Sequence, residues 1–173
     1  LDAANVDDLR ALRSAVLPHA AAAAASAAAT AGIGTRAPLV LLDVRSSSGG
    51  SVHGAGRTLT NRAELLEALR LAFGGGAPSP STPPPPEVVL FDHRGLSVAE
   101  QASLYARAAV VIGVHGAGFA NALWAPSGAH IVEIVPVDVH LDFQCGLTPF
   151  WQTATLLGQR WHAVKAAIVA RAK

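Results

Sequence analysis

Apolar side chains recur at helical spacing near the start of the chain, at Val6, Leu9, Leu12, Val16 and Leu17. An alanine run continues the segment, so a helix is predicted over 5–29, with a kink or break at Pro18. Gly and Pro punctuate a turn over 31–38. Leu39–Val44 is then a continuous apolar run, the mark of a strand buried on both faces. Asn61-Arg-Ala-Glu64 reads as a capping box opening a helix whose buried stripe is Leu65, Leu66, Leu69 and Phe73. A second strand follows at Val88–Phe91. Ser97-Val-Ala-Glu100 caps a helix running to about Ala108, and Val110–Val114 is a third strand. A helix near Phe119–Trp124 closes at Pro126-Ser-Gly128. His130–Val135 is a fourth strand, stopped by Pro136. A last helix near Phe150–Leu157 ends at Gly158, and Trp161–Val164 adds a strand.

Strands apolar throughout, alternating with helices, predict an α/β domain: a Rossmann-like parallel sheet with helices on both faces. Residues 1–38 form an N-terminal helical segment and turn, and 39–173 the Rossmann-like domain. Two stretches fall outside this pattern. The Ser/Gly-rich stretch at 46–56 and the Pro-rich one at 74–86 lack the apolar side chains to pack, and are expected as disordered insertions.

Composition changes this picture only at the edges. The 173 residues, about half of them apolar and 14% charged, suit one globular domain with a proper core. Thirteen basic residues against 12 acidic ones leave a net charge of +1, which gives no electrostatic footprint for nucleic acid. The single cysteine, Cys145, excludes an intrachain disulfide and a cysteine metal site. With no methionine and a Leu-Asp-Ala start, the chain is expected to be part of a longer protein.

In an open α/β sheet, ligands bind beyond the carboxyl ends of the strands. Arg45, Asp92 or His93, the glycine turn Gly113-Val-His-Gly-Ala-Gly-Phe-Ala-Asn121, and Glu133 with Pro136 all terminate or follow apolar strands. Gly116 and Gly118 would let backbone N–H groups at a helix start approach a diphosphate. His115 and Asn121 could add donors. The alternative is a tight strand-to-helix turn that needs its glycines only for positive φ. Glu133 interrupts the apolar strand Ile-Val-x-Ile-Val. A carboxylate there must reach a partner or a crevice, and ribose hydroxyls or a nearby arginine would each serve. Arg45 and Arg57 could neutralise a diphosphate. The seven histidines show no metal-ligand spacing.

Taken in order, Arg45, Arg57-Thr-Leu-Thr-Asn61, Leu96-Ser-Val-Ala-Glu-Gln101, Ala109–Asn121, Pro126-Ser-Gly128 and Val132-Glu-Ile-Val-Pro136 resemble glycosyltransferase family 61 over about residues 39–165. The resemblance implies an inverting transferase that moves a sugar such as N-acetylglucosamine or xylose. The donor is a UDP-sugar, and the acceptor a hydroxyl of a glycoprotein or polysaccharide. It implies a two-Rossmann GT-B architecture in the secretory pathway, this chain being the carboxyl-terminal, donor-binding half and the amino-terminal half lying outside it.

On that resemblance the turn at His115, Gly116, Ala117, Gly118 and Asn121 would face the diphosphate, with Arg45 and Arg57 as cationic partners and Glu133 at the ribose. His115 is the in-chain candidate for the catalytic base, and the other half is the alternative source of that base. No tightly bound cofactor or metal is expected. The family's spacing between Arg45 and Arg57 is shorter than here. Two other readings stand beside this one. Gly116-x-Gly118-x-x-Asn121 nearly matches an NAD(P)-binding fingerprint, and the chain could be a degenerate, non-catalytic transferase fragment.

Overall fold

The computed structural model of the protein describes residues 7–20, 37–43, 59–74, 84–137 and 149–167. The expected insertion at 46–56, most of the one at 74–86, and both Arg45 and Arg57 lie outside them. Helix α1 covers residues 7–20. Next come β1 (Leu39–Asp43), α2 (Arg62–Gly74), β2 (Glu87–Phe91), α3 (Val98–Tyr105) and β3 (Ala108–Val114). A 3-10 helix at Ala117–Trp124, β4 (His130–Val137), α4 (Pro149–Leu156) and β5 (Arg160–Ala167) complete the order.

The five strands among the described residues are all parallel, in the order β2-β1-β3-β4-β5. From β1 the chain moves outward to β2 and then returns to the opposite side at β3. The strand order therefore reverses between β1 and β3, where an open α/β sheet leaves a crevice at its carboxyl edge.

The period-2 alternation of side chains sorts the core into two layers. Leu39, Leu41, Phe91, Val111 and Ile131 face one layer. There they meet Val16 and Leu17 of α1, Leu104 and Tyr105 of α3, Phe119 and Trp124 of the 3-10 helix, and Ala154 of α4. Val40, Leu42, Ile112, Val114 and Ile134 face the other layer, covered by Leu65, Leu66, Leu69 and Phe73 of α2. That is the stripe expected of this helix. The capping box at Ser97 is formed as well: its hydroxyl accepts from the Glu100 N–H, and the Glu100 carboxylate accepts from the Ser97 N–H.

Neither proline ends its element, each for a reason of packing. Helix α1 runs through Pro18 to residue 20. Val16, Leu17 and Ala20 lie against the core on either side of it, and their burial offsets the missing hydrogen bond. Strand β4 does not stop at Pro136 but continues to Val137, paired with β5 as far as Ala167. Ile134 turns its carbonyl toward the β3 side, where it accepts from the His115 N–H. Pro136, two residues on, presents its missing N–H to that same side, beyond the last residue of β3.

Candidate functional site

Strand β3 delivers its last residue, Val114, to the carboxyl edge beside the reversal point. The ladder continues one residue further, because the His115 backbone N–H donates to the Ile134 carbonyl at 2.9 Å. The chain then turns at Gly116, whose φ of +148° is open only to glycine. Gly118 has no positive φ, so turn geometry accounts for one of these two glycines. The element that follows is a 3-10 helix, tighter than the α-helix expected, with the Phe119 N–H bonded to the Gly116 carbonyl at 2.9 Å. Ala117 is exposed and Gly118 half-buried at its start.

The reason for the tight turn lies beneath it. Phe119 is 1% exposed and its ring sits over Gly113. A Cβ at Gly113 would lie 2.6 Å from Phe119 Cδ2 and 3.3 Å from Asp43 Cβ. Gly113 is paired in register with Asp43 on one side and Glu133 on the other. The missing side chain thus makes room for the aromatic ring between two carboxylates on the same face of the sheet.

Each carboxylate has a defined partner. Asp43 Oδ2 accepts from the buried Tyr105 hydroxyl at 2.8 Å. Burial first, and then the Asp43 charge, push the Tyr105 phenol well above its ordinary range. Glu133 is fully buried. Its Oε1 lies 2.5 Å from His115 Nδ1, and its Oε2 accepts from the Trp161 indole N–H at 2.9 Å. An isolated carboxylate in such a place costs about several kcal/mol, so these donors are a condition of the strand's existing. The His115 ring is half-buried and meets the edge of Phe150 at a centroid distance of 5.7 Å. Phe150 also packs edge-on against Phe119 at 5.3 Å.

Of the residues singled out from sequence, His115, Gly116 and Glu133 come together as one unit. Asn121 faces away from it: its amide donates to Gln101 Oε1 at 2.9 Å. Gln101 in turn donates to the carbonyls of Leu96 and His93, so the pair ties the 3-10 helix to the loop after β2. Asp92, at the end of β2, is bound by Arg94 in an exposed ion pair of 2.6 Å. Hydrogen bonding from Arg94 holds its carboxyl below the usual range.

Two members of the unit were not foreseen, Trp161 and Phe150. The signal for the first was the buried acid itself, which required a hydrogen-bonding partner. Which residue supplied it depended on the β4–β5 register, which local sequence does not give. Among the described residues, no three His, Cys, Asp or Glu side chains are grouped to hold a metal ion. Among the same residues, no helix is long and apolar enough to cross a membrane.

Comparison with known proteins converges on one group. The model of the family "Glycosyltransferase 61" matches residues 45–132, just over half of the chain, a span that includes the whole glycine turn. Protein O-linked-mannose beta-1,4-N-acetylglucosaminyltransferase 2 of Bos taurus is 34% identical over 102 residues. That alignment covers 59% of this chain but 15% of the bovine protein, so the chain spans a small part of that relative.

Proposed function

This chain belongs to glycosyltransferase family 61, and we propose that it forms the donor-binding part of an inverting enzyme that transfers a sugar from a UDP-sugar to a hydroxyl. The observation that carries the reading is the position of the family-matched turn. His115 and Gly116 leave the sheet at the carboxyl edge beside the β1/β3 reversal, where this architecture takes its ligands. The backbone of the turn and the His115 side chain would face the diphosphate, with Arg45 and Arg57 contributing positive charge. Their part is to stabilise the charge that develops on the leaving UDP.

In the proposed reaction the acceptor oxygen attacks the anomeric carbon from the face opposite the UDP. The bond to the diphosphate oxygen breaks, and UDP departs with the electron pair. A general base takes the acceptor's proton. We place that base in the part of the protein that completes a GT-B architecture, and His115 on the donor side. The sugar in the bovine relative's name, N-acetylglucosamine, is the first to test, and xylose the second. A hydroxyl of a glycoprotein or polysaccharide is the expected acceptor, and the secretory pathway the expected setting.

The dinucleotide alternative is less well supported. Its fingerprint belongs after the first strand and before an α-helix, whereas this turn follows β3 and opens a 3-10 helix. Calorimetric titration of the protein with UDP and with NAD tests the choice. UDP binding that weakens at least tenfold in His115→Ala, with no heat from NAD, is the expected result. Binding of NAD alone would refute the proposal, and binding of neither would identify a degenerate transferase.

A further inference from the structure

We infer that Glu133 and Trp161 are positioning residues for His115, fixing both the orientation of its ring and the nitrogen that carries its proton. The inference rests on the proposed donor-side role of His115, and it gives the buried acid a task other than binding ribose.

Three neighbouring strands contribute. His115 follows β3, Glu133 lies in the middle of β4, and Trp161 is the second residue of β5. Glu133 pairs in register with Gly113 and Ala163, two small residues that leave space around its carboxylate. An indole N–H can only donate, and an ionised carboxylate can only accept. With Oε2 held by Trp161 at 2.9 Å, Oε1 is directed at His115 Nδ1, 2.5 Å away. Nδ1 must then carry a hydrogen, and Nε2 is the ring nitrogen with which His115 meets a ligand. Nε2 is an acceptor while bare, and it donates to a phosphate oxygen once it too is protonated, a charge that the Glu133 carboxylate would balance. Ring rotation is opposed by the edge of Phe150, and backbone movement by the hydrogen bond to Ile134. A side chain that contacts the departing diphosphate gains from being fixed in this way before the donor arrives.

A ribose ligand would need to present an oxygen to the crevice. Glu133 is instead wholly inaccessible to solvent, and each of its oxygens is bonded to a neighbouring strand or turn. Its influence on the donor therefore passes through the imidazole.

The test reads the ring nitrogens directly. In intact protein labelled with nitrogen-15 at histidine, with the His115 signals assigned by loss in His115→Asn, the wild type should show hydrogen on Nδ1 without any ligand. Glu133→Gln offers one acceptor oxygen to two donors. The hydrogen should leave Nδ1 in a substantial fraction of molecules, and UDP affinity and kcat/KM should fall by about 10–100-fold, the scale for lost supporting contacts. Trp161→Phe preserves the acid but removes its anchor. It should shift the same signals less, with a loss of about 3–10-fold, and it carries the test if Glu133→Gln does not fold.

Unchanged His115 nitrogen signals in a folded Glu133→Gln or Trp161→Phe protein would overturn the inference. Weaker UDP binding with unchanged signals would in addition restore Glu133 to the ribose. Because the signals are read without donor, a wild type that shows Nδ1–H yet binds no UDP refutes the donor reading and leaves the positioning intact.

Discussion

Replacing Tyr105 with phenylalanine isolates one hydroxyl at the base of the site. The ring is completely buried and packs edge-on against Phe91 at 5.1 Å, contacts that phenylalanine keeps. What disappears is the 2.8 Å hydrogen bond to Asp43, a residue only 7% exposed. A hydrogen bond to a charged group is worth about 1.5–3 kcal/mol. Asp43 keeps a further interaction of its own, which places the expected loss toward the lower end. For a chain of this size, 1.5–3 kcal/mol corresponds to a fall in Tm of about 3–12 °C.

The same contact has a pH signature. The folded-state pKa of Tyr105 is raised, so the contact's stabilisation is fully present below the phenol's ordinary value of 10.0 and is lost as pH rises beyond it. Tyr105 is the only tyrosine in the chain, so tyrosinate absorbance reports it alone. The wild type should ionise only well above the ordinary value, together with alkaline unfolding, and Tyr105→Phe should lack this part of the pH dependence. A variant with unchanged Tm, together with a wild-type tyrosine that titrates normally while the protein is folded, would refute the account of this contact.

Two further substitutions probe the frame around the turn. Gly113→Ala sets a Cβ 2.6 and 2.7 Å from two carbons of the Phe119 ring, which Phe150 also confines. Denaturant unfolding should show a loss of about 1–3 kcal/mol, and a change within about 0.5 kcal/mol would mean that the ring gives way freely. Asn121→Ala and Gln101→Ala should each cost about 1 kcal/mol, and the double variant should cost clearly less than their sum. Full additivity would show that the 2.9 Å amide bridge is not a coupled tether.

Local pattern carried much of the fold. Four apolar runs and a weaker fifth, the Ser97 capping box and the α2 stripe are each specified by residues within a few positions of one another. An element forms from such short-range choices. The glycine turn and Glu133 also stood out, the first by its glycines and the second as an acid in an apolar strand. Two prolines did not end their elements, because packing outweighed local preference: Pro18 lies in a helix held by the core, and Pro136 in a strand whose missing N–H faces the side that β3 has already left.

Only the tertiary structure decided which partners meet. The strand order put His115 beside the reversal point. The β3–β4 and β4–β5 registers brought Gly113, Glu133 and Trp161 together across 48 residues of sequence. A shift of one residue in either register would turn Glu133 or Trp161 to the opposite face. By itself the sequence determined that a turn and a buried acid exist and that the acid needs donors. The long-range packing of three parallel strands determined that one of those donors is the histidine of the turn.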